Sequence, residues 1–493
     1  MSAADGRAEI PAADGRADAP NSVLPTLFEA RLSLLLLVTV VAALFGQPNA
    51  LFVYLPAYPL LVTALILTLL AALFYSKLKY GKLETKHFSL PRANLIVPTL
   101  LFFVYSLFSL AYAPDAFYGA RILFSAFFKF FLFFALVAAV NRKEIFSRIL
   151  FVISLLGGIF ALQGLIYVVG FVFFNLQPGD FISSASGYGA YGYNPAINSL
   201  GILGFAKTTN QIGSFRLPRC QAMFLEPGFF ATFLELSIFT TLGWAALTGR
   251  RAQRPARWLL GLQFGALLFT FSSAGWLAIG AGLLVYTGIR LFSRFGVLRR
   301  SRIALLLKGG AAVFGAAIVL GLCFPSLAVN LYNSVYVAKF ASDTTEQTSA
   351  GDRAAKAADS IALFAQKPIF GWGSNQTPIV SAGGNSVGNA FLTVSTELGA
   401  VGLVIYTAMV GAIFWTLIGI VSSSYRLQNT AYQGLTAALA GGFAASFIHT
   451  LFVDTEWQFS YWIGIALIYS GRTLLRGSVT PAPTALPAHT PSN

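Results

Sequence analysis

The residues of this chain that could do chemistry fall in a few separate stretches. In SFRLPRCQAMFLEPGFFATF, residues 214–233, Arg216 and Arg219 precede Glu226, and Pro227 opens an apolar run. Proline is accepted in a first helical turn because its missing N–H would have no partner there, so a regular helix is expected from about Glu226 onward. A carboxylate at that positive helix end, beside two guanidiniums, would stay ionised and could act as a general base or accept a bond from a sugar hydroxyl. The same residues also fit an ion pair that only fixes a loop on a helix.

A second stretch is SAGDRAAKAADSIALFAQKPIFGWGSN, residues 349–375. Ser349-x-x-Asp352 has the form of a capping box, and Ala357, Ile361 and Phe364 follow at helical spacing, which predicts a helix over 350–366. Arg353 and Lys356 would project near its first turn, where free N–H groups and a guanidinium could grip a diphosphate. The alternative is an amphipathic helix with a solvated charged face. Lys367-Pro368-Ile369-Phe370-Gly371-Trp372-Gly373 ends the helix with turn formers and offers Trp372 as an aromatic platform for a sugar. Downstream, Asn389 could bond a sugar or cap the helix that follows, whereas Glu397 and Gly399 read as helix-packing features.

Histidine is scarce, with only three in the chain. His87 falls in a basic connection and His489 in the C-terminal tail, which leaves His449, followed by Asp454 and Glu456, as the imidazole that could help a base. A buried imidazole bonded to a helix carbonyl is the competing reading. No HExxH, paired-Cys, Walker or GxGxxG pattern occurs in its proper context, so neither a metal nor a nucleotide cofactor is expected. Cys220 and Cys323 fit two unpaired thiols or one disulfide.

These residues need elements to hold them, and the composition says which. Apolar residues make up 56% of the 493 and charged residues 10%, which excludes a water-soluble globular class. The unbroken apolar stretches are long enough for helices that cross a bilayer, and no strand-length alternation repeats. About twelve spans are expected, near 32–46, 51–74, 93–113, 121–140, 149–174, 222–247, 258–272, 274–290, 304–324, 398–422, 433–450 and 457–471. The seventh and eighth form a tight hairpin at Phe271–Gly275, because one long helix would put Arg250–Arg257 and Arg290–Arg302 on opposite sides of the membrane.

The fold class is therefore an all-α polytopic membrane protein. Its net charge of +15 would suggest nucleic acid in a soluble protein. Here the basic residues group as Lys77–Arg92, Arg142–Arg148, Arg250–Arg257 and Arg290–Arg302, alternating with nearly uncharged connections. That positive-inside pattern puts both termini in the cytoplasm. Residues 1–24 and 477–493 are Ala-, Pro- and Gly-rich tails flanking a membrane domain over 25–476. Two long connections, 175–221 and 325–397, lie on the outer face, the second containing helices, and FISSASGYGAYGYNPAINS in the first fits either a surface for sugar rings or a flexible Gly-rich loop. Glu235 and Lys129 are the main ionisable groups inside the spans.

The stretch R-x-x-R…F-x-E-P-G-F-F-A at 216–231, the hairpin T-F-S-S-A-G at 270–275 and the run from Arg353 through K-P-I-F-G-W-G to Gly402 together resemble the O-antigen polymerase and ligase superfamily, in particular Wzy-type polymerases. The resemblance covers most of the membrane region. It implies about twelve spans in the bacterial inner membrane, and a metal-independent glycosyltransferase working at the periplasmic face on undecaprenyl-diphosphate-linked glycans. The expected partners are that glycan, membrane lipid, a flippase and a chain-length regulator.

By the resemblance, Arg216, Arg219 and Arg353 hold the lipid diphosphate. The ligase branch carries a His directly before the Asn of the second loop, where this chain has Gly388 before Asn389. That departure favours a polymerase and leaves Glu226, helped by His449, to activate the acceptor hydroxyl. Ser273 stands where many relatives have Arg. A ligase acting on lipid A core, a glycan flippase and a scaffold are the alternatives, and the absence of a two-fold repeat argues against a transporter.

Overall fold

The computed structural model describes residues 23–46, 58–79, 93–140, 142–174, 209–212, 215–222, 224, 226–294, 344–381, 388–453 and 458–477. The expected span at 304–324 lies outside them. Elements run in the order α1 (Val23–Gly46), α2 (Tyr58–Lys79), α3 (Ala93–Phe108, extended by a 3-10 turn over Ser109–Tyr112), α4 (Ala116–Ala139) and α5 (Lys143–Phe174). After β1 (Thr209–Ile212) and β2 (Phe215–Pro218) come α6 (Pro227–Thr248), α7 (Arg250–Phe269), α8 (Ser273–Arg294), α9 (Thr344–Gln366) and the short α10 (Thr377–Val380). The chain closes with α11 (Ala390–Arg426), α12 (Thr430–Thr450) and α13 (Phe459–Gly477).

This is a helical membrane protein. Among the described residues five helices are long and apolar enough to cross a bilayer, and shorter apolar helices lie over Leu32–Leu44, Leu61–Ala72 and Ile96–Tyr112. The expected hairpin forms: α7 ends at Phe269, Phe271 takes a left-handed turn conformation (φ 49°), and α8 starts at Ser273. A short antiparallel ribbon within the first long connection was not expected, with Gln211 opposite Arg216.

The start of α9 corrects the sequence expectation. The helix begins at Thr344, so Ser349 and Asp352 are interior and form no capping box. Asp343-Thr344-Thr345-Glu346 carries the same acceptor-then-Glu pattern six residues earlier and is the better start signal. Arg353 thus stands about 14 Å along the axis from the first turn, and the free N–H groups there are not its neighbours.

α6 and α12 form the middle of the bundle. α6 packs on α5, α7 and α12, and α12 also packs on α8. Hydrophobic transfer gives helices in lipid little reason to associate, so close approach and polar contacts must hold them. At the α8–α12 crossing, Gly282 and Gly441 face one another so closely that a Cβ on either would meet the other's carbonyl oxygen at 2.6–2.7 Å. α5, α6 and α7 are joined by a buried polar knot: Gln263 Nε2 donates to Ser154 O (2.9 Å) and Ser237 Oγ (2.8 Å), and its Oε1 accepts from Thr241 Oγ1 (3.2 Å).

Candidate functional site

Glu226 is the N-cap of α6, in extended conformation (φ −135°, ψ 146°), with Pro227 at the first helical position, as the sequence predicts. It is half-buried, and its carbonyl accepts from Phe230 N. Two residues on, Gly228 faces Val453. Val453 belongs to the turn that ends α12, where the carbonyl of His449 accepts from Phe452 N and Val453 N. Asn389 closes the group from a third element. Its Oδ1 caps α11 by accepting from Phe391 N and Leu392 N, while Nδ2 donates to Leu451 O at 3.0 Å. The starts of α6 and α11 and the end of α12 therefore meet at one end of the bundle.

Gly388 precedes Asn389 in a turn that suits glycine. Its φ of 69° is a left-handed conformation that side chains rarely adopt, and a Cβ would stand 3.4 Å from the carbonyl oxygen of Phe452. A histidine at 388 would strain the turn.

His449 stands in the last turn of α12. It is fully buried, with Nδ1 2.6 Å from Glu235 Oε1 on α6 and Nε2 3.5 Å from Thr232 Oγ1. Glu235 is thus its carboxylate partner. Thr232 also lines a small cleft with Thr240, Phe443, Ser446, Ser460 and Tyr461, from α6, α12 and α13. The sequence placed Glu235 inside a span and stopped there. Ionisable groups in a membrane interior pair with one another, and that rule was the usable signal.

Arg219 turns to the α7–α8 hairpin: Nε donates to Thr270 O (2.9 Å) and Nη2 to Phe271 O (3.0 Å), and Cys220 N donates to Phe269 O. These bonds receive the carbonyls that a tight membrane hairpin leaves over. Cys220 is a buried free thiol, and burial pushes it up to about 12. Cys323 lies outside the described residues, as do Asp454 and Glu456 and the side chains of Arg216 and Arg353, whose backbones lie on β2 and α9.

Residues 367–377 form a wedge on α11. That helix is broken at Gly399 (φ 66°), and the freed carbonyls of Thr396 and Glu397 receive Trp372 N and Gly373 N, while Ala400 N and Val401 N donate to Pro368 O and Ile369 O. A methyl group at Gly399 would fall on the carbonyl of Ile369. The Glu397 carboxylate accepts from Asn375 N (2.6 Å), Thr377 N (3.3 Å) and Thr377 Oγ1 (2.9 Å). Glu397 and Gly399 are packing features, as their sequence context suggests. Trp372 has Lys367 Nζ over its ring at 4.0 Å and donates its indole N–H to Leu363 O. Lys356 is half-buried on α9. Glu226, Asn389 and the His449 turn are thus brought together, whereas Arg219 is directed at the hairpin and Trp372 at the wedge.

The fold and these ends define a helical membrane protein with a polar cluster at one end of its bundle. Residues 258–407 match the model of a family described as O-antigen ligase, and this supports the O-antigen polymerase and ligase superfamily. No curated protein matches the chain. The matched segment runs from α7 into α11 and includes Arg353, Lys356, Trp372 and Asn389, while Arg216, Arg219, Glu226 and His449 lie outside it.

Proposed function

We propose that the protein is a periplasmic-face glycosyltransferase of the inner membrane that polymerises undecaprenyl-diphosphate-linked repeat units into O-antigen or exopolysaccharide. The family match to residues 258–407 supports glycosyltransferase-like chemistry. The observation that favours a polymerase is Gly388, held in a left-handed turn where the ligase branch carries histidine. In this reading the acceptor hydroxyl oxygen bonds to the anomeric carbon of the growing glycan as the bond from that carbon to the carrier phosphate breaks. The electron pair leaves with the diphosphate, whose charge Arg216, Arg353 and Lys356 stabilise, and Glu226 takes the acceptor proton. Arg219 serves the same site by anchoring the hairpin turn, and Asn389 by joining α11 to the end of α12.

The experiment is elongation of lipid-linked repeat units by the purified protein. Longer glycan on undecaprenyl diphosphate is expected, and Arg216→Ala, Arg353→Ala and Glu226→Gln should each stop elongation while leaving expression intact. Unchanged glycan length with folded protein would sink the reading. The family description favours one second reading, a ligase, which would instead deliver the glycan to lipid A core.

A further inference from the structure

Glu235 and His449 are both buried where α6 packs on α12. Thr232 Oγ1 donates to the Gly228 carbonyl at 3.1 Å, so what it offers the imidazole is a lone pair. With its hydrogen on Nε2 the ring has an acceptor on that side, and Nδ1 and Glu235 Oε1 share a proton at 2.6 Å. Whichever of those two atoms holds it, the pair is neutral overall, which suits a membrane interior. Glu235 Oε2 is also buried and has no hydrogen-bond partner among the described residues. A polar atom left over in this way is costly, and an apolar side chain would avoid the cost, so the carboxyl calls for a reason beyond packing.

We infer that Glu235 is a positioning residue: it fixes the His449 ring with Nε2–H toward Thr232, and through that ring it holds the end of α12 against the first turns of α6. The His449 carbonyl closes the turn that receives Asn389, and Thr232 bonds back to Gly228, two residues from Glu226. A proton already occupies Nε2, so His449 is not the base, and the acceptor proton falls to Glu226. The inference rests on the transfer reading of this end of the bundle and deepens it.

With three histidines in the chain, full-length protein labelled with 15N only at histidine gives few ring signals, and His449→Gln identifies those of His449. The expected spectrum has Nε2 protonated and Nδ1 in a strong hydrogen bond, and Glu235→Gln should displace the Nδ1 signal while the other two rings stay in place. In elongation assays Glu235→Gln should lower kcat by about tenfold to a hundredfold with KM for the repeat unit nearly unchanged, and Glu235→Asp should recover part of the loss. Wild-type kcat in Glu235→Gln, or His449 signals that do not move, overturns the inference. Should wild-type protein fail to elongate at all, the transfer reading falls by itself, and the ring signals still decide whether Glu235 sets the tautomer.

Discussion

Two buried glutamates, Glu397 on α11 and Glu235 on α6, show how differently one side chain can be used inside a helical bundle. The first is surrounded by donors from its own wedge: two backbone N–H groups and a hydroxyl converge on its two oxygens. The second gives one oxygen to an imidazole from a distant helix and keeps the other without a partner among the described residues. A carboxylate saturated by backbone N–H groups is a staple, because those donors cannot change their protonation. A carboxyl facing a histidine shares a proton that either group can hold, so the same burial produces a positioning device.

The contrast can be broken most severely at Glu397. Glu397→Ala leaves three buried donors without their acceptor and should cost about 3 kcal/mol or more, read as a lower midpoint for thermal unfolding in detergent. Next comes Gly399→Ala, whose methyl group meets the Ile369 carbonyl in a left-handed backbone; about 2 kcal/mol is expected in the same measurement. A Gly399→Ala protein with wild-type stability would show that the wedge does not depend on the break in α11.

At the other end, Asn389→Ala removes a helix cap and should cost about 1 kcal/mol. It also cuts the bond to Leu451, so its effect on elongation should exceed its effect on stability; equal modest effects would reduce Asn389 to a cap. The smallest change is expected at Cys220. A thiol raised to about 12 by burial holds far less thiolate at pH 8 than one at its usual 9.0. In a Cys323→Ser background, maleimide should therefore label the native protein slowly from pH 7 to 9 and quickly once it is unfolded. Rapid native labelling would mean that the loop carrying Cys220 lifts off the hairpin.

Much of the bundle was legible because apolar run length acts locally. The α7–α8 turn, the start of α6 beside Pro227 and the cap at Asn389 all follow from neighbours within a few residues. Ser349 misled because two acceptor-first patterns stand six residues apart, and the helix began at the earlier one. The Glu235–His449 pair joins residues 214 positions apart, and periodicity within α6 or α12 says nothing about which helices adjoin. The wedge was half legible: Gly371 and Gly373 announced turns and Gly399 a packing contact, yet only the fold shows that α11 breaks at Gly399 to meet them.

The bonds from Arg219 to Thr270 and Phe271 span 51–52 positions, and the donor comes first in the chain. Synthesis runs from N- to C-terminus, so the arm that receives the hairpin turn has emerged before the turn exists. The α7–α8 pair need not wait for later helices to satisfy its exposed carbonyls; it can close on a template already in place as it enters the membrane. Exchanging the chain order of these two segments would keep every contact in the finished molecule and lose that head start.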